Sequence, residues 1–597
     1  MKKILALSCL ILSFIACKED TKSNQTNEDV DVVNNEAFDK VLKLYHEDGL
    51  KLYPLNATSA GDNRYNDKLP NTLSNQFESD EKAYYSNYKS QVSAFNNDSL
   101  SESQRLSKAI LIWECDTNLE RFEFNEDLMP INQFWAQHLI IGQLASGSSS
   151  QPFKTVEDYN NWLSRLDGYL QWMNSAEEKM KEGVKAGYVL PKSLIKKVLP
   201  QLEASTTTNL DEHLFYAPVK NLPDTFSDED KTKITEAYKD MVLNKVVPAY
   251  KKLHAYMSTD YLAAGKTESG ISATPNGNEY YQHLIKRYTT TNMTADEIHQ
   301  LGLSEVKRIL SEMEKVKEQV GFEGDIIAFF DYVRTNKELM PYKTAEEVIA
   351  HFNRIHETMQ PQLDKLFNVK PRTPFEVRRT EAFREASASA EYNPGSLDGT
   401  RPGIFYVPVP NAENYNNFSD ESLFLHEAIP GHHYQISLQQ ENKELPDFRK
   451  TLYYSAYGEG WALYTESLGK ELGLYTNPYQ YFGMLSAEMH RAIRLVVDTG
   501  IHTKGWTREQ AIKYSLKNEA ETEASITAEI ERYMAIPGQA LSYKIGQLKI
   551  KELRAKAEKE LGDAFDIAEF HNQILESGNM PLALLEDKIN AWIANKK

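Results

Sequence analysis

The chain has 597 residues, of which 41% are hydrophobic and 26% charged; this excludes an intrinsically disordered polymer and allows a large core. Its formal net charge of −19 repels phosphate backbones, so nucleic acid is excluded as an expected partner. The three cysteines, Cys9, Cys17 and Cys115, offer no internal disulfide framework once the N-terminal segment is read as a leader.

Lys2 and Lys3 precede an apolar run from Ile4 to Ile15 that is too short to span a bilayer, and Ala16 then precedes Cys17. This start resembles the lipobox of bacterial lipoproteins. The resemblance implies a signal peptide at 1–16, lipidation of Cys17 and attachment to a lipid bilayer. Residues 17–36 are otherwise almost entirely polar and read as a flexible tether. Lys18-Glu19-Asp20 resembles the surface-export signal of Bacteroidetes lipoproteins. The expected location is therefore the cell envelope, anchored to the outer membrane, on its periplasmic or its external face.

From residue 37 the pattern is helical. Thr294 with Glu297, Thr344 with Glu347, and Thr507 with Gln510 each form a capping box ahead of apolar residues at helical spacing. Cys115, in the apolar context of Leu111, Ile112 and Trp113, reads as a buried small hydrophobe. No Gly/Ser-rich hinge interrupts residues 37–597, which points to a single helical domain. The one clear strand signal is Gly403 to Val409, where the flanking prolines argue for an edge position. Such an edge could bind an extended peptide; a buried structural hairpin fits the same residues.

The chemistry concentrates in His426-Glu427-Ala428-Ile429-Pro430-Gly431-His432-His433. Zinc-peptidase helices usually place two histidines four apart with a glutamate after the first. Here Pro430 stands at the second histidine's place. On a straight helix His432 would lie about 240° around from His426, and His433 about 10 Å along the axis. Neither could share an ion at Zn–N distances of about 2 Å. Pro430 and Gly431 mark where the helix must break, and looping out two residues brings in His432. His433 would need three, so His432 is the expected ligand and His433 a supporting or substrate contact. The pairs His46-Glu47 and His356-Glu357 lack a second histidine nearby and read as ordinary helix residues.

A catalytic zinc takes a third protein ligand and keeps one open position. Glu459, 27 residues beyond His432, is the expected third ligand, within Tyr457-Gly458-Glu459-Gly460-Trp461-Ala462-Leu463-Tyr464. Glu466 lies on the same face two turns on and could orient a ligating histidine. Glu427, beside a ligand, is the expected general base.

These blocks, with Tyr533 to Ala540, resemble the bacterial lipoprotein family called domain of unknown function 885, over most of the mature chain including Gly61-Asp62-Asn63-Arg64. That family resembles the helical gluzincin peptidases, of the thermostable carboxypeptidase and thimet oligopeptidase kinds. The resemblance implies a mainly α, zincin-like domain around a deep cleft, a Zn2+ cofactor and a peptide substrate. It also makes Tyr543 the first candidate to stabilise an oxyanion, with Tyr533 second. Arg532, Arg491 or Arg494 could grip a substrate carboxylate, although an ion pair with Asp498 is the plainer role for Arg494. A glycan-binding or peptide-binding lipoprotein without catalysis and a zinc amidase acting on cell-wall material remain as alternatives.

Overall fold

A computed structural model describes residues 35–147, 149–381, 385, 388–397 and 401–597. The leader, Cys17 and nearly all of the tether therefore lie outside the described residues. The rest is mainly helical with one small sheet. All three expected capping boxes form, with each threonine accepting from the backbone N–H three residues on. Two more, Ser101 with Gln104 and Thr155 with Asp158, start the Glu102–Arg121 and Val156–Ala186 helices.

Apolar side chains gather into two clusters. One is built from residues 131–261 around Trp162, Tyr169 and Trp172. The larger takes in the N-terminal helices and almost everything from Tyr281 onward, including Cys115, which is fully buried. The buried Arg165 guanidinium donates to Thr58, Gln151 and the Tyr65 and Lys68 carbonyls, tying the 58–69 segment to the Trp162 cluster.

The axis of the larger cluster is the Pro478–Thr503 helix, buried along most of its length. It crosses Ala295–Gln319 closely because Gly302 has no side chain; a Cβ there would meet Leu495 at 2.7 Å. No described helix is long and apolar enough to cross a membrane.

The sheet corrects one expectation. Gly403–Val407 (β3) is the central strand, not an edge: Phe375–Arg379 (β1) pairs with it in parallel and Glu391–Asn393 (β2) in antiparallel. Pro402, Pro408 and Pro410 lie just outside the ladder, so the strand keeps all its N–H donors and tolerates partners on both sides. The sheet rests on His433, whose Nδ1 would be only 2.8 Å from a Cβ at Gly403.

Candidate metal centre

The helix carrying His426 starts at Asp420 and stops at Glu427. A new helix starts at His432 and runs to Glu441. Between them Ala428 to Gly431 double back over the helix end, through a cis Ile429–Pro430 bond. Only glycine fits at 431: a Cβ would lie 2.0 Å from the His426 carbonyl and 2.3 Å from that of Leu425. The break is pinned from the next helix, Ser455–Glu466. There Trp461 Nε1 donates to the Pro430 carbonyl at 2.9 Å, and Thr465 Oγ1 to that of Leu425 at 2.9 Å. Proline thus ends one helix, and glycine lets the chain return close enough to begin the second.

The consequence is convergence. His426, His432 and Glu459 each offer a ligand atom, all within 4.8 Å of one another. Glu459 Oε2 lies 3.4 Å from His426 Nε2 and 3.5 Å from His432 Nε2. Tetrahedral zinc with ligand bonds near 2.0–2.1 Å would set its ligands roughly 3.3 Å apart, so this set fits the ion. His426 is also correctly turned: its Nδ1–H donates to Glu466 at 2.8 Å, which points Nε2 at Glu459. His432 has no such partner, its Nδ1 being buried without a hydrogen bond among the described residues.

Charge matches this geometry. Burial opposes an imidazolium at His426, yet hydrogen bonds to Glu459 and Glu466 hold its pKa up to about 9. Burial also opposes a charged Glu459, but His432 and His426 keep its carboxyl well below the usual range. Glu427 is half-buried next to them, and burial raises its pKa against the pull of His426 and His432. A carboxyl in that position, beside two candidate ligands, is where a proton acceptor would stand.

Of the other expected residues, Tyr543 receives Arg532 Nη2 on its hydroxyl at 3.3 Å, and Arg494 lies 4.5 Å over its ring. Tyr543 reaches this position because the Ser455–Glu466 and Ser542–Leu561 helices touch through Gly460 and Gly546. Tyr533 shares Arg494 with Tyr543. It is buried, accepts from Arg494 Nε at 3.0 Å and donates to Glu529 at 2.7 Å, as part of an internal charged network. Arg494 pairs with Glu529 at 2.9 Å and not with Asp498. Asp498 instead takes the Tyr281 hydroxyl and the Gly538 N–H. Arg532 is partly exposed and shared among Glu529, Gln539 and Tyr543. Arg491 lines a cavity of about 140 Å³ with His426 and Glu466.

His433 is not with the triad. Its ring packs 5.0 Å from Phe375 under the sheet, Tyr392 OH lies 2.9 Å from its Nδ1, and burial lowers its pKa to about 4. Its position makes it a neutral support for the sheet.

One residue escaped the sequence reading. Tyr453 is 47% exposed, and its hydroxyl donates to Glu459 Oε1 at 2.9 Å. Its ring lies against Gly458, where a Cβ would meet it at 2.5 Å. The glycine before Glu459 was the available signal.

The arrangement defines a class: a helical protein in which two histidines on the two sides of a helix break meet a glutamate of the Ser455–Glu466 helix in metal-binding geometry. The chain belongs to the family described as bacterial protein of unknown function (DUF885), whose model matches residues 54–589. No curated protein matches it. Among solved structures it is similar to a candidate lipoprotein from Colwellia psychrerythraea, with 28% identity and a TM-score of 0.85, covering 94% of this chain and 99% of that one. It is also similar in fold to a candidate lipoprotein of unknown function from Shewanella oneidensis, with 18% identity and a TM-score of 0.74, covering 92% and 99%.

Proposed function

We propose that this protein is a zinc-dependent peptidase of the bacterial cell envelope. The observation that carries the reading is the meeting of His426, His432 and Glu459 at zinc-ligand spacing with the Glu427 carboxyl beside them. A zinc ion held there would acidify a water and polarise the scissile carbonyl. Glu427 takes the water's proton and delivers it to the leaving amine. Tyr543, whose hydroxyl oxygen already accepts from Arg532, can turn its O–H toward the developing oxyanion, and Tyr453 stands close by. Glu466 holds His426 in the tautomer that presents Nε2.

The envelope location rests on the lipobox-like start and on the lipoprotein description of the Colwellia protein. Cys17→Ser should release the protein from membranes with activity unchanged; a variant that stays membrane-bound contradicts lipidation at Cys17.

The decisive experiment is metal analysis of the purified protein, followed by digestion of a peptide library with and without chelator, read by mass spectrometry. About one zinc per chain, chelator-sensitive cleavage and loss of turnover in Glu427→Gln with zinc retained are the expected results. A protein without stoichiometric metal, or a Glu427→Gln variant at parental rate, overturns the mechanism. Cleavage confined to cell-wall peptide cross-links would assign the same site to an amidase.

A further inference from the structure

A cavity of about 840 Å³ is lined by residues from both apolar clusters and by none of the triad. Its lining mixes both charge signs, with Arg287 and Lys266 as well as Glu126 and Glu182, and includes Trp135, so nothing in it selects a polyanion. The size is within the range of ligand sites and exceeds what a single amino acid needs.

A series of side-chain contacts leads from the triad toward this cavity. Tyr453 bonds Glu459, and its pKa is raised by burial, by Glu459 and, more weakly, by Tyr543. Tyr543 takes its hydrogen bond from Arg532, and the Arg532 guanidinium sits 5.0 Å over the ring of Phe134. Trp135 follows at the cavity wall, and the turn after Arg532, Met534 to Pro537, lines the same space.

Phe134 and Trp135 are unusual surface residues. They are 44% and 68% exposed, although buried Ile131 and Ala136 flank them. Asn132 Oδ1 accepts from the backbone N–H of both, at 2.9 and 2.7 Å. Gln133 donates to the Glu531 carbonyl in one cluster and accepts from Gln201 in the other. The loop is thus fastened on both sides while its two aromatic rings are left uncovered. An exposed indole on a fastened loop at a cavity wall has the character of a ligand contact, since it offers a large apolar face with few rotatable bonds.

We propose that Trp135, with Phe134 beneath Arg532, is a specificity platform for the same substrate, holding a bulky apolar side chain of an extended peptide remote from the bond cut at the triad. The proposal rests on the peptidase reading and adds what the substrate must be: a chain long enough to reach from Glu459 to Trp135.

The test uses the zinc-loaded mature protein carrying Glu427→Gln, with calorimetric titration of synthetic Gly/Ser decapeptides that hold one Phe at successive positions. An all-Gly/Ser decapeptide, a Phe-containing tripeptide and a neutral oligosaccharide are the controls. Trp135→Ala should weaken binding of the best Phe decapeptide about tenfold and leave the Gly/Ser decapeptide and the tripeptide unchanged; Trp135→Tyr should restore most of the loss. No change, or equal loss for all peptides, overturns the platform, as does preferred binding of the oligosaccharide. Cleavage by the parent protein is read separately. Platform-dependent binding without cleavage would keep the platform and remove the peptidase, and cleavage indifferent to Trp135 would do the reverse.

Discussion

Gly460 and Gly546 meet with no side chain between them: a Cβ on Gly460 would lie 2.5 Å from the Gly546 Cα, and one on Gly546 only 1.8 Å from the Ala456 carbonyl. The contact brings together the two helices that carry Glu459 and Tyr543. Gly460→Ala should force the helices apart at a cost of about 1–3 kcal/mol, as overpacked cores do. Thermal denaturation should show a lower midpoint and zinc titration a weaker affinity; a variant with parental values for both would mean the crossing does not position Glu459.

Glu466 makes a second test. Removing the acceptor for His426 Nδ1–H should cost roughly 10–100-fold in zinc affinity, while Glu466→Gln, which keeps an acceptor oxygen, should retain most of it. Equal losses in Glu466→Ala and Glu466→Gln would assign the role to charge and not to orientation.

The two adjacent histidines separate cleanly. His432→Ala should abolish zinc binding, because its Nε2 is the atom facing Glu459. His433→Ala should keep zinc and lower stability, because it removes a buried ring packed on Phe375 and bonded to Tyr392. Zinc stoichiometry of the two folded variants decides, and loss in His433→Ala with retention in His432→Ala would reverse the assignment.

Acid should destabilise the fold through histidines that are buried in the neutral form. His502 Nδ1 accepts from the Ile271 N–H at 3.0 Å, and its Nε2–H donates to the Tyr533 carbonyl at 3.0 Å, so the ring is held neutral. His571 likewise donates to the Leu366 carbonyl and meets the Tyr464 hydroxyl. Burial lowers their pKa values to about 4 and about 3. An unfolded histidine takes a proton below about 6.5, which these folded ones refuse. Their contribution is therefore complete above pH ~6.5 and is lost as pH falls toward their folded values, on the order of 3 kcal/mol each. The unfolding midpoint should fall steadily from pH 6.5 to 4, and His502→Gln should flatten that slope while starting from a lower midpoint at pH 7. An unchanged slope would place the acid sensitivity elsewhere.

Much of the site was legible because its logic is local. Proline at 430 forbids a straight helix, so the break and the meeting of His426 with His432 followed from ligand distance alone. Glu459 was legible from its apolar flanks, which make an unpartnered carboxylate costly. Relationships decided by distant elements were not. Arg494 and Asp498 are four apart on one helix, a spacing that suggests an ion pair. Tyr281 and the Gly538 backbone claim Asp498 from outside that helix, and Glu529 claims Arg494. Strand β3 read as an edge because its prolines were visible, whereas its partners, which begin at Phe375 and Glu391, are too short to announce themselves. Tyr453 lies before its helix begins and acts through a single hydrogen bond, a role with no periodic signature.

Ten of the twelve residues of the Ser455–Glu466 helix are buried, and only Ser455 and Glu459 are not. For a water-borne reagent this helix is a wall with one window in its middle. Glu466, two turns from Glu459, carries the same functional group behind that wall. A carbodiimide offered to the folded protein should therefore distinguish two chemically identical carboxyls by access alone, marking Glu459 and passing over Glu466.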